Sequence, residues 1–340
     1  MRTRYIVAVA VVIVVGVGAA VAAPTSVNPP ADSPPPEQLL AAAAEAALVG
    51  RPQAGWVRAK LDLGLPDLPQ AGLGALPTNT SARVWREGVF VRVSEALPFG
   101  ERSFVSGPSG TWTWDSAGFS SHRLGPNAGP LQLLAGFADP KTLATQALGI
   151  VTPSTAVFSG RPTVVAGRGA HVLVLRPRTT ETLIGRVEVS LDAAHHVPLG
   201  VAVFSRGAES PAASVVFESV TFDAISDEIF DFRPPADSLT RSGTEGGEAA
   251  GADGEEAAGG REAAPGRGGG LFEGWKLLGE GWGSAAAMQL RGEASPIPPE
   301  LLPFQGDLIT ADIVAVGGTR WLVAGPVPLE RLQVLARELE

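Results

Sequence analysis

The sequence contains no cysteine, and this absence excludes several kinds of chemistry at once. Disulfide bonds, thiolate metal sites and cysteine nucleophiles are impossible, and so is a lipid-modified cysteine at the N-terminus. Lysine is almost as rare, since Lys60, Lys141 and Lys276 are the only three. Arginine carries nearly all the positive charge without forming a cluster, and the formal net charge is -9. Nucleic-acid binding needs clustered basic residues that displace counterions, so we exclude that class of function.

Catalytic patterns are equally scarce. The chain lacks the HExxH pattern of zinc proteases, a phosphate-binding Walker A loop and a GxSxG nucleophile elbow. The four histidines are His122, His171 and the adjacent pair His195-His196, which follows a predicted strand and is typical of a turn. We therefore predict a protein that is not an enzyme and that has no cofactor and no metal. An extracytoplasmic hydrolase is a third hypothesis, after the two binding functions given below.

The N-terminus carries the pattern of an export signal. Arg2 and Arg4 precede an apolar run at residues 6–23, and Ala20-Val21-Ala22 has the small residues that signal peptidase requires. The run is also close to the length of a membrane-spanning helix. Residues 1–23 are thus predicted to be a signal peptide or a membrane anchor. Either alternative delivers the rest of the chain to the cell envelope or outside the cell.

Composition divides the rest of the chain into four parts. Residues 24–36 are rich in proline and predict an extended tether. Residues 37–239 have the patterning of the main domain. Residues 240–270 are dominated by glycine, alanine and glutamate, which predicts a disordered acidic linker. Residues 271–340 combine a hairpin pattern with a final helical pattern and predict a small C-terminal α+β domain.

The main domain shows the alternation of half-buried strands. Residues 56–63, for example, place apolar side chains at every second position between charged ones. Nine or ten such strands are predicted, mostly joined by hairpins, and residues 230–232 are predicted as the last. A short helix is predicted at residues 40–48, and a second follows Asp139-Pro140, an N-cap with proline at the first helical position. This pattern predicts an α+β fold in which a curved antiparallel sheet carries the helices on one face.

The order of motifs resembles a known family. A Trp-x-Trp-Asp hairpin is followed by Gly-Arg-x-Ala-x-x-Leu-x-Leu-x-Pro, Leu-Asp-x-x-x-x-x-Pro-Leu, Phe-x-Ser-Val-x-Phe and Phe-x-Phe-x-Pro-Pro. These motifs occupy residues 112–115, 167–177, 191–199, 217–222 and 230–235. The chain is similar in this respect to the lipoprotein-carrier LolA superfamily, especially to the LolA-like and RseB/MucB-like exported proteins of actinobacteria.

The resemblance implies an incomplete β-barrel, or half-barrel, under a helical lid. Its concave apolar face would hold acyl chains, so the implied function is extracytoplasmic binding of lipid or lipoprotein, as a carrier or a sensor. The alternative is an RseB-like regulatory module that binds an anti-sigma factor or another membrane protein. The expected partners are therefore acyl chains and, for the alternative function, a membrane-bound protein, with membrane association through an uncleaved N-terminus.

The alternation selects candidate residues for this face. The proposed lid residues are Leu40, Ala44 and Leu48, because their helical stripe is too weak to fold alone. Trp112 and Trp114 are the strongest candidates for aromatic residues that line the ligand site. The competing interpretation is that both are ordinary aromatic residues of the core. The candidates for the lipid cavity are Val57, Ala59, Leu61, Val89, Val91, Trp112, Trp114, Leu173, Leu175, Val187 and Val189.

The export prediction has a direct test. Residues 1–36 fused to a reporter that is active only outside the cytoplasm should give signal, because the charged and apolar segments together direct translocation. A fusion lacking residues 6–23 is the matched control and should be silent. A stable full fusion with a silent reporter would contradict the predicted compartment.

Overall fold

The computed structural model describes residues 28–62, 79–124, 139–149, 151–242, 272–290 and 301–339 of the chain. The predicted signal peptide or anchor, residues 1–23, lies outside the described residues, as does most of the predicted acidic linker. Within the described ranges, no helix is long and apolar enough to span a bilayer.

The main domain is built on one open sheet of thirteen strands. Its spatial order is β13-β6-β5-β4-β3-β2-β1-β12-β11-β10-β9-β7, and β8 also pairs with β9. Every pairing is antiparallel except that of β13 with β6. The strands are β1 (Gln53–Leu61), β2 (Asn79–Glu87), β3 (Phe90–Leu97), β4 (Gly100–Gly107), β5 (Gly110–Asp115), β6 (Ser120–Leu124), β7 (Thr155–Ser159), β8 (Thr163–Val165), β9 (Arg168–Pro177), β10 (Ile184–Asp192), β11 (Pro198–Ser205), β12 (Ala213–Thr221) and β13 (Leu239–Ser242).

The strand order results from tight turns between neighbouring strands and from one pairing between two strands that are far apart in the sequence. Glu87 lies opposite Phe90, so β2 and β3 are joined by the two residues Gly88-Val89. Gly88 has a φ of 55°, a conformation that glycine adopts without strain. The pairing of β1 with β12 joins the two halves of the sheet, and an ion pair between Arg58 and Glu218 crosses it.

In the described part of the main domain, two helices lie on one face of the sheet, which we call the helix-bearing face. Helix α1 (Pro36–Val49) contacts β7 and β9, and helix α2 (Pro140–Gly149) contacts β11 and β12. Their buried side chains, including Leu39 and Ala144, pack into one cluster with aliphatic residues of β9 and β10 such as Leu173. The predicted α+β class, a curved antiparallel sheet with helices on one face, is confirmed.

The start of α2 is fixed by a buried ion pair. Asp139 caps the helix as predicted, because its carboxylate accepts from the Thr142 backbone N–H at 2.9 Å and from the Thr142 hydroxyl at 2.6 Å. The same carboxylate accepts from Nε of Arg86 on β2 at 2.9 Å. Both charged side chains are buried, so each depends on the other for compensation of its charge.

Over β3, β4 and β5, the opposite face is covered by the chain that follows β12. Phe230 is fully buried there, against Phe90 and the backbone of Gly107. A Cβ at Gly107 would lie 2.0 Å from the Phe230 carbonyl oxygen, so only glycine allows this approach. Phe232 then packs on the rings of Trp112 and Trp114, with centroids 5.7 and 6.2 Å away.

A second sheet of five strands, in the order β14-β15-β18-β17-β16, forms the small domain. Trp282, in a 3-10 helix between β14 and β15, donates a hydrogen bond from Nε1 to the Thr155 hydroxyl at 2.8 Å. Trp282 and Leu308 belong to the same buried cluster as α1 and β10, so the two sheets share part of their core. The elements are β14 (Phe272–Leu278), β15 (Ala285–Leu290), β16 (Phe304–Gln305), β17 (Thr310–Val316), β18 (Thr319–Gly325) and α3 (Leu329–Ala336).

Several sequence expectations differ from the structure. The thirteen strands exceed the predicted nine or ten, because the alternation is too short to read in β7 and β8. Residues 230–232 are not a strand; they follow a 3-10 helix, Asp227–Ile229, since the Phe230 side chain turns into the core. Strand β13 continues to Ser242, beyond the expected boundary at residue 239. The described part of the tether contacts the domain, as Ser159 donates to the Pro34 carbonyl at 2.5 Å.

The Arg86–Asp139 pair gives a prediction about stability. Asp139→Ala should lower the free energy of unfolding by about 3–5 kcal/mol, because it removes a helix cap and leaves a guanidinium buried without its partner. Urea unfolding of the full chain measures the change. The double variant Arg86→Met/Asp139→Ala should recover much of the loss.

The half-exposed Arg58–Glu218 pair is the matched control. Glu218→Gln should cost less than about 1 kcal/mol, because solvent already screens that pair. Additive losses at Arg86 and Asp139 would contradict the assignment of the two as one buried unit.

Candidate functional site

The helix-bearing face carries two continuous rows of aliphatic residues. In the first row, Ala59 lies opposite Val215, and the row continues across three further strands to Leu173. The second row begins at Leu61 and ends at Leu175. Each row therefore crosses β1, β12, β11, β10 and β9 without a charged residue. The members are Ala59, Val215, Val201, Val189 and Leu173 in the first row, and Leu61, Ala213, Val203, Val187 and Leu175 in the second.

On the other half of the sheet the same face changes from apolar to polar. Val84, Val93 and Phe104 lie opposite one another on β2, β3 and β4, and all three are buried. The row then continues to Thr113 on β5 and His122 on β6. The apolar surface thus extends well beyond β9, β11 and β12, where the helices have most of their contacts with the sheet.

Eight of the eleven predicted cavity residues share this face. Val57 and Val91 belong to the cluster on β1–β4, and the other six lie in the two rows. Their common orientation follows from the alternation in the sequence, because every second side chain of a strand points to the same face of the sheet. The eight are Val57, Ala59, Leu61, Val91, Leu173, Leu175, Val187 and Val189.

The other three cavity candidates are not on this face. Trp112 and Trp114 flank Thr113, which faces the helices, so both tryptophans point to the opposite side, where Phe232 covers them. Val89 lies in the β2–β3 turn rather than in a strand, and it is 82% exposed. The expectation that these residues line the same surface is wrong, and the two tryptophans are core aromatics of the far face.

The predicted lid stripe is displaced by one residue. Leu39 and Ala43 are the buried residues of α1, whereas Leu40 is half-buried and Ala44 is exposed. Leu48 is 89% exposed at the end of the helix. In a helix made mostly of leucine and alanine, two neighbouring stripes have equal periodicity, so the spacing predicts a helix but not which stripe packs.

A buried carboxyl group interrupts the apolar surface. Glu95 on β3 follows Val91 and Val93 in the alternation, so it also faces the helices, and it is 3% exposed. Neither of its carboxyl oxygens has a hydrogen-bond partner. Burial raises its pKa from 4.5 to about 7, and the charge of Arg102 offsets only part of this rise. The hydroxyl of Thr80, on the adjacent strand β2, is likewise buried and without a partner.

Glu95 is not among the residues predicted from the sequence, although the pattern of β3 marks its position. A glutamate occupies a position where the alternation of β3 requires an apolar residue. Charged residues almost never become buried without a partner, so such a position is a marker for function.

Three of the four histidines, His171, His195 and His196, lie around the β10–β11 turn. Asp192 is buried at the β10–β11 turn; burial alone raises its pKa, but hydrogen bonds from Arg168 and the turn backbone bring the pKa below its usual value. His171 stacks on His196 with centroids 6.5 Å apart, and burial, then the charge of His196, lowers the pKa of His171. Among the described residues, no group of three or more histidine, aspartate or glutamate side chains could hold a metal ion.

The pKa of Glu95 predicts how stability depends on pH. Because the folded pKa lies above the unfolded value, the folded state binds the proton more tightly, and stability falls as pH rises from about 4.5 to about 7. Glu95→Gln should remove this fall. Above pH 8 it should therefore be more stable than wild type, by on the order of 3 kcal/mol, and near pH 4 the two should be equal.

Denaturant unfolding across this pH range measures the difference. The exposed Glu209→Gln is the control and should leave the pH profile unchanged. Parallel profiles for wild type and Glu95→Gln would show that Glu95 is solvated in the folded state.

Comparison with known proteins finds similar solved structures at low sequence identity. No protein-family model matches the chain, and no curated protein is significantly similar to it. The crystal structure of MucB in complex with MucA(peri) is 15% identical with a TM-score of 0.48, over 88% of this chain and 97% of that chain. The complex of Pseudomonas aeruginosa MucA/MucB is 16% identical with a TM-score of 0.45, over 88% and 96%. A LolA superfamily protein from Nitrosomonas europaea is 11% identical with a TM-score of 0.25, over 59% and 99%. These solved structures come from the MucB and LolA groups that the sequence motifs resemble.

Proposed function

We propose that this protein binds the acyl chains of a lipid or lipoprotein between its helices and the helix-bearing face, outside the cytoplasm. The observation that carries this proposal is the pair of uncharged aliphatic rows from β1 to β9, continued by Val84, Val93 and Phe104. Among the described residues, the two helices contact only part of this surface, and its side chains are buried in the folded chain. When a covering segment moves away, an apolar surface of this size needs an apolar partner.

The chemistry of the surface suits hydrocarbon. Transfer of an acyl chain of about a dozen carbons from water to an apolar site is worth roughly 10 kcal/mol before the costs of association. No catalytic group is required for this function.

Helix α1 is the better candidate for a lid. Of its fourteen residues only Leu39 and Ala43 are buried, and its N-terminus has no side-chain cap. Its C-terminal end is held by Gly50, whose carbonyl accepts from the Gly88 N–H at 3.2 Å. Helix α2, in contrast, is anchored by Asp139. Displacement of α1 therefore exposes the rows at a lower cost than displacement of α2, and we assign to α1 the role of admitting the ligand.

A second candidate function is the binding of a protein partner, as in a regulatory module. The observation that favours it is the sheet edge at β13, where Leu239 is 66% exposed. Within the described part of the chain, no strand pairs with the outer side of β13. An extended segment of a membrane protein could add to this edge as a further strand.

The lipid proposal is tested by placing a charge in the first row. Ala59→Glu should weaken binding of a fluorescent fatty acid by at least about tenfold, because a carboxylate in an apolar site is costly. Fluorescence titration of the purified full chain measures the change, and native mass spectrometry of wild type should detect a co-purified lipid.

The adjacent Lys60→Glu is the matched control, since Lys60 is exposed and alternates with Ala59. It should bind the fatty acid like wild type. Both variants must keep a native far-UV circular dichroism spectrum. If folded Ala59→Glu binds as well as wild type, the acyl site is not on this face and the protein-partner function becomes the better proposal.

A further inference from the structure

Glu95 differs from the other buried acidic side chains of the described residues. Asp139 is paired with Arg86, and Asp192 is paired with Arg168 and with the backbone of its turn. Glu95 is as deeply buried as these residues, but both of its carboxyl oxygens are without partners.

The cation beside Glu95 does not satisfy it. Arg102 lies directly opposite on β4, but its guanidinium is turned to Asp115 on β5, with 3.8 Å between Nη2 and Oδ2. The Arg102 side chain is also 43% exposed, so it is oriented toward solvent rather than toward the buried carboxyl. On the other side of Glu95, strand β2 contributes Thr80 and Ala82, neither of which is charged.

Thr80 extends the same polar spot. Arg83 and Ser94 are the last residues that β2 and β3 pair. The same register, extended by one pair, sets Ala82 opposite Glu95 and makes Thr80 its diagonal neighbour. Diagonal neighbours on one face of a sheet are about 7–8 Å apart at the backbone, within the combined reach of their side chains. The Thr80 hydroxyl is buried and has no partner. Two carboxyl oxygens and one hydroxyl oxygen thus provide three unused acceptors beside the aliphatic surface.

We propose that Glu95 and Thr80 form the head-group subsite of the acyl-binding face, and that they select an amphiphile with a primary ammonium group. An ammonium group offers three N–H donors, which matches three acceptors. Its charge compensates a carboxylate in an environment where water does not screen the attraction. The hydrocarbon of the same molecule lies along Val57, Val93 and Phe104, the apolar residues of this part of the face. This inference rests on the proposed acyl-binding function.

The experiment compares three probes of equal chain length, namely dodecylamine, dodecanol and dodecanoic acid. Each is titrated into the full chain by calorimetry at pH 8.5, below its solubility limit and, for the amine and the acid, below the critical micelle concentration. Wild type should bind dodecylamine at least tenfold more tightly than dodecanol, and dodecanoic acid more weakly than either, because its carboxylate repels that of Glu95.

Two variants locate the preference. Glu95→Gln should bind dodecylamine and dodecanol equally while keeping the affinity for dodecanol, since it retains the shape of the side chain and loses the charge. Thr80→Val should reduce the preference for the amine by about threefold through loss of one acceptor. Glu209→Gln, an exposed change of the same kind, should leave all three affinities unchanged.

The outcomes separate this inference from the proposed function. Binding of dodecanol without a preference for the amine, or a preference that survives in Glu95→Gln, would overturn the subsite and leave acyl binding intact. If none of the three probes binds, acyl binding itself fails. An amine preference that is lost in folded Glu95→Gln supports the subsite.

Discussion

The arrangement of the main domain depends on the buried ion pair between Arg86 and Asp139. Arg86 belongs to β2, on the half of the sheet that has few helix contacts, whereas α2 packs mainly on β11 and β12. The pair therefore holds the start of the helix over one half of the sheet while the body of the helix lies on the other. A buried guanidinium without a carboxylate is strongly unfavourable, so the helix start has one stable position. This constraint makes α2 a fixed part of the structure.

The fixed position of α2 determines which part of the helical layer can move. Helix α1 has no comparable anchor and buries two small or medium side chains, Leu39 and Ala43, in the shared core. Its displacement would leave α2, the sheet and the small domain in place, since Trp282 continues to hold the small domain through Thr155. In such a binding site the sheet and α2 are rigid, whereas α1 is a weakly held cover. This arrangement suits a ligand that must enter and leave.

The sequence predicts which residues of a strand share a face better than it predicts which part of the chain packs against that face. Alternation in β1, β9 and β10 is regular, because one face is aliphatic and the other is polar, and eight cavity candidates are therefore on one surface. Strand β5 has threonine on one side and tryptophan on the other. Its larger residues, Trp112 and Trp114, were assigned to the lipid face, but residues 230–232 provide a separate apolar cover on the far side. That cover comes from more than 100 residues away, and no local pattern reveals it.

The wrong lid stripe of α1 and the missing prediction of Glu95 have other physical reasons. The predicted lid stripe and the observed one differ by one residue, because leucine and alanine fill both and only contact with the sheet separates Leu39 from Leu40. Glu95, in contrast, breaks the alternation of β3, but the apolar positions of the strands alone do not indicate it. Its neighbour Thr80 gave no signal, since threonine is common on both faces of strands.

A buried acid without a partner lowers the stability of the fold, so its position within the protein carries information. A polar residue of another kind, or an aliphatic one, would fit β3 at lower cost, and the same chain pairs its other buried acids, Asp139 and Asp192, with arginine. Glu95 lies in line with Arg102 on β4 and Asp115 on β5, where this face changes from apolar to polar. A ligand with a hydrocarbon part and a polar head shows the same change from apolar to polar along its own length. An unfavourable group at this boundary is consistent with a binding site whose polar partner arrives with the ligand, because residues that break a local rule concentrate where a protein functions.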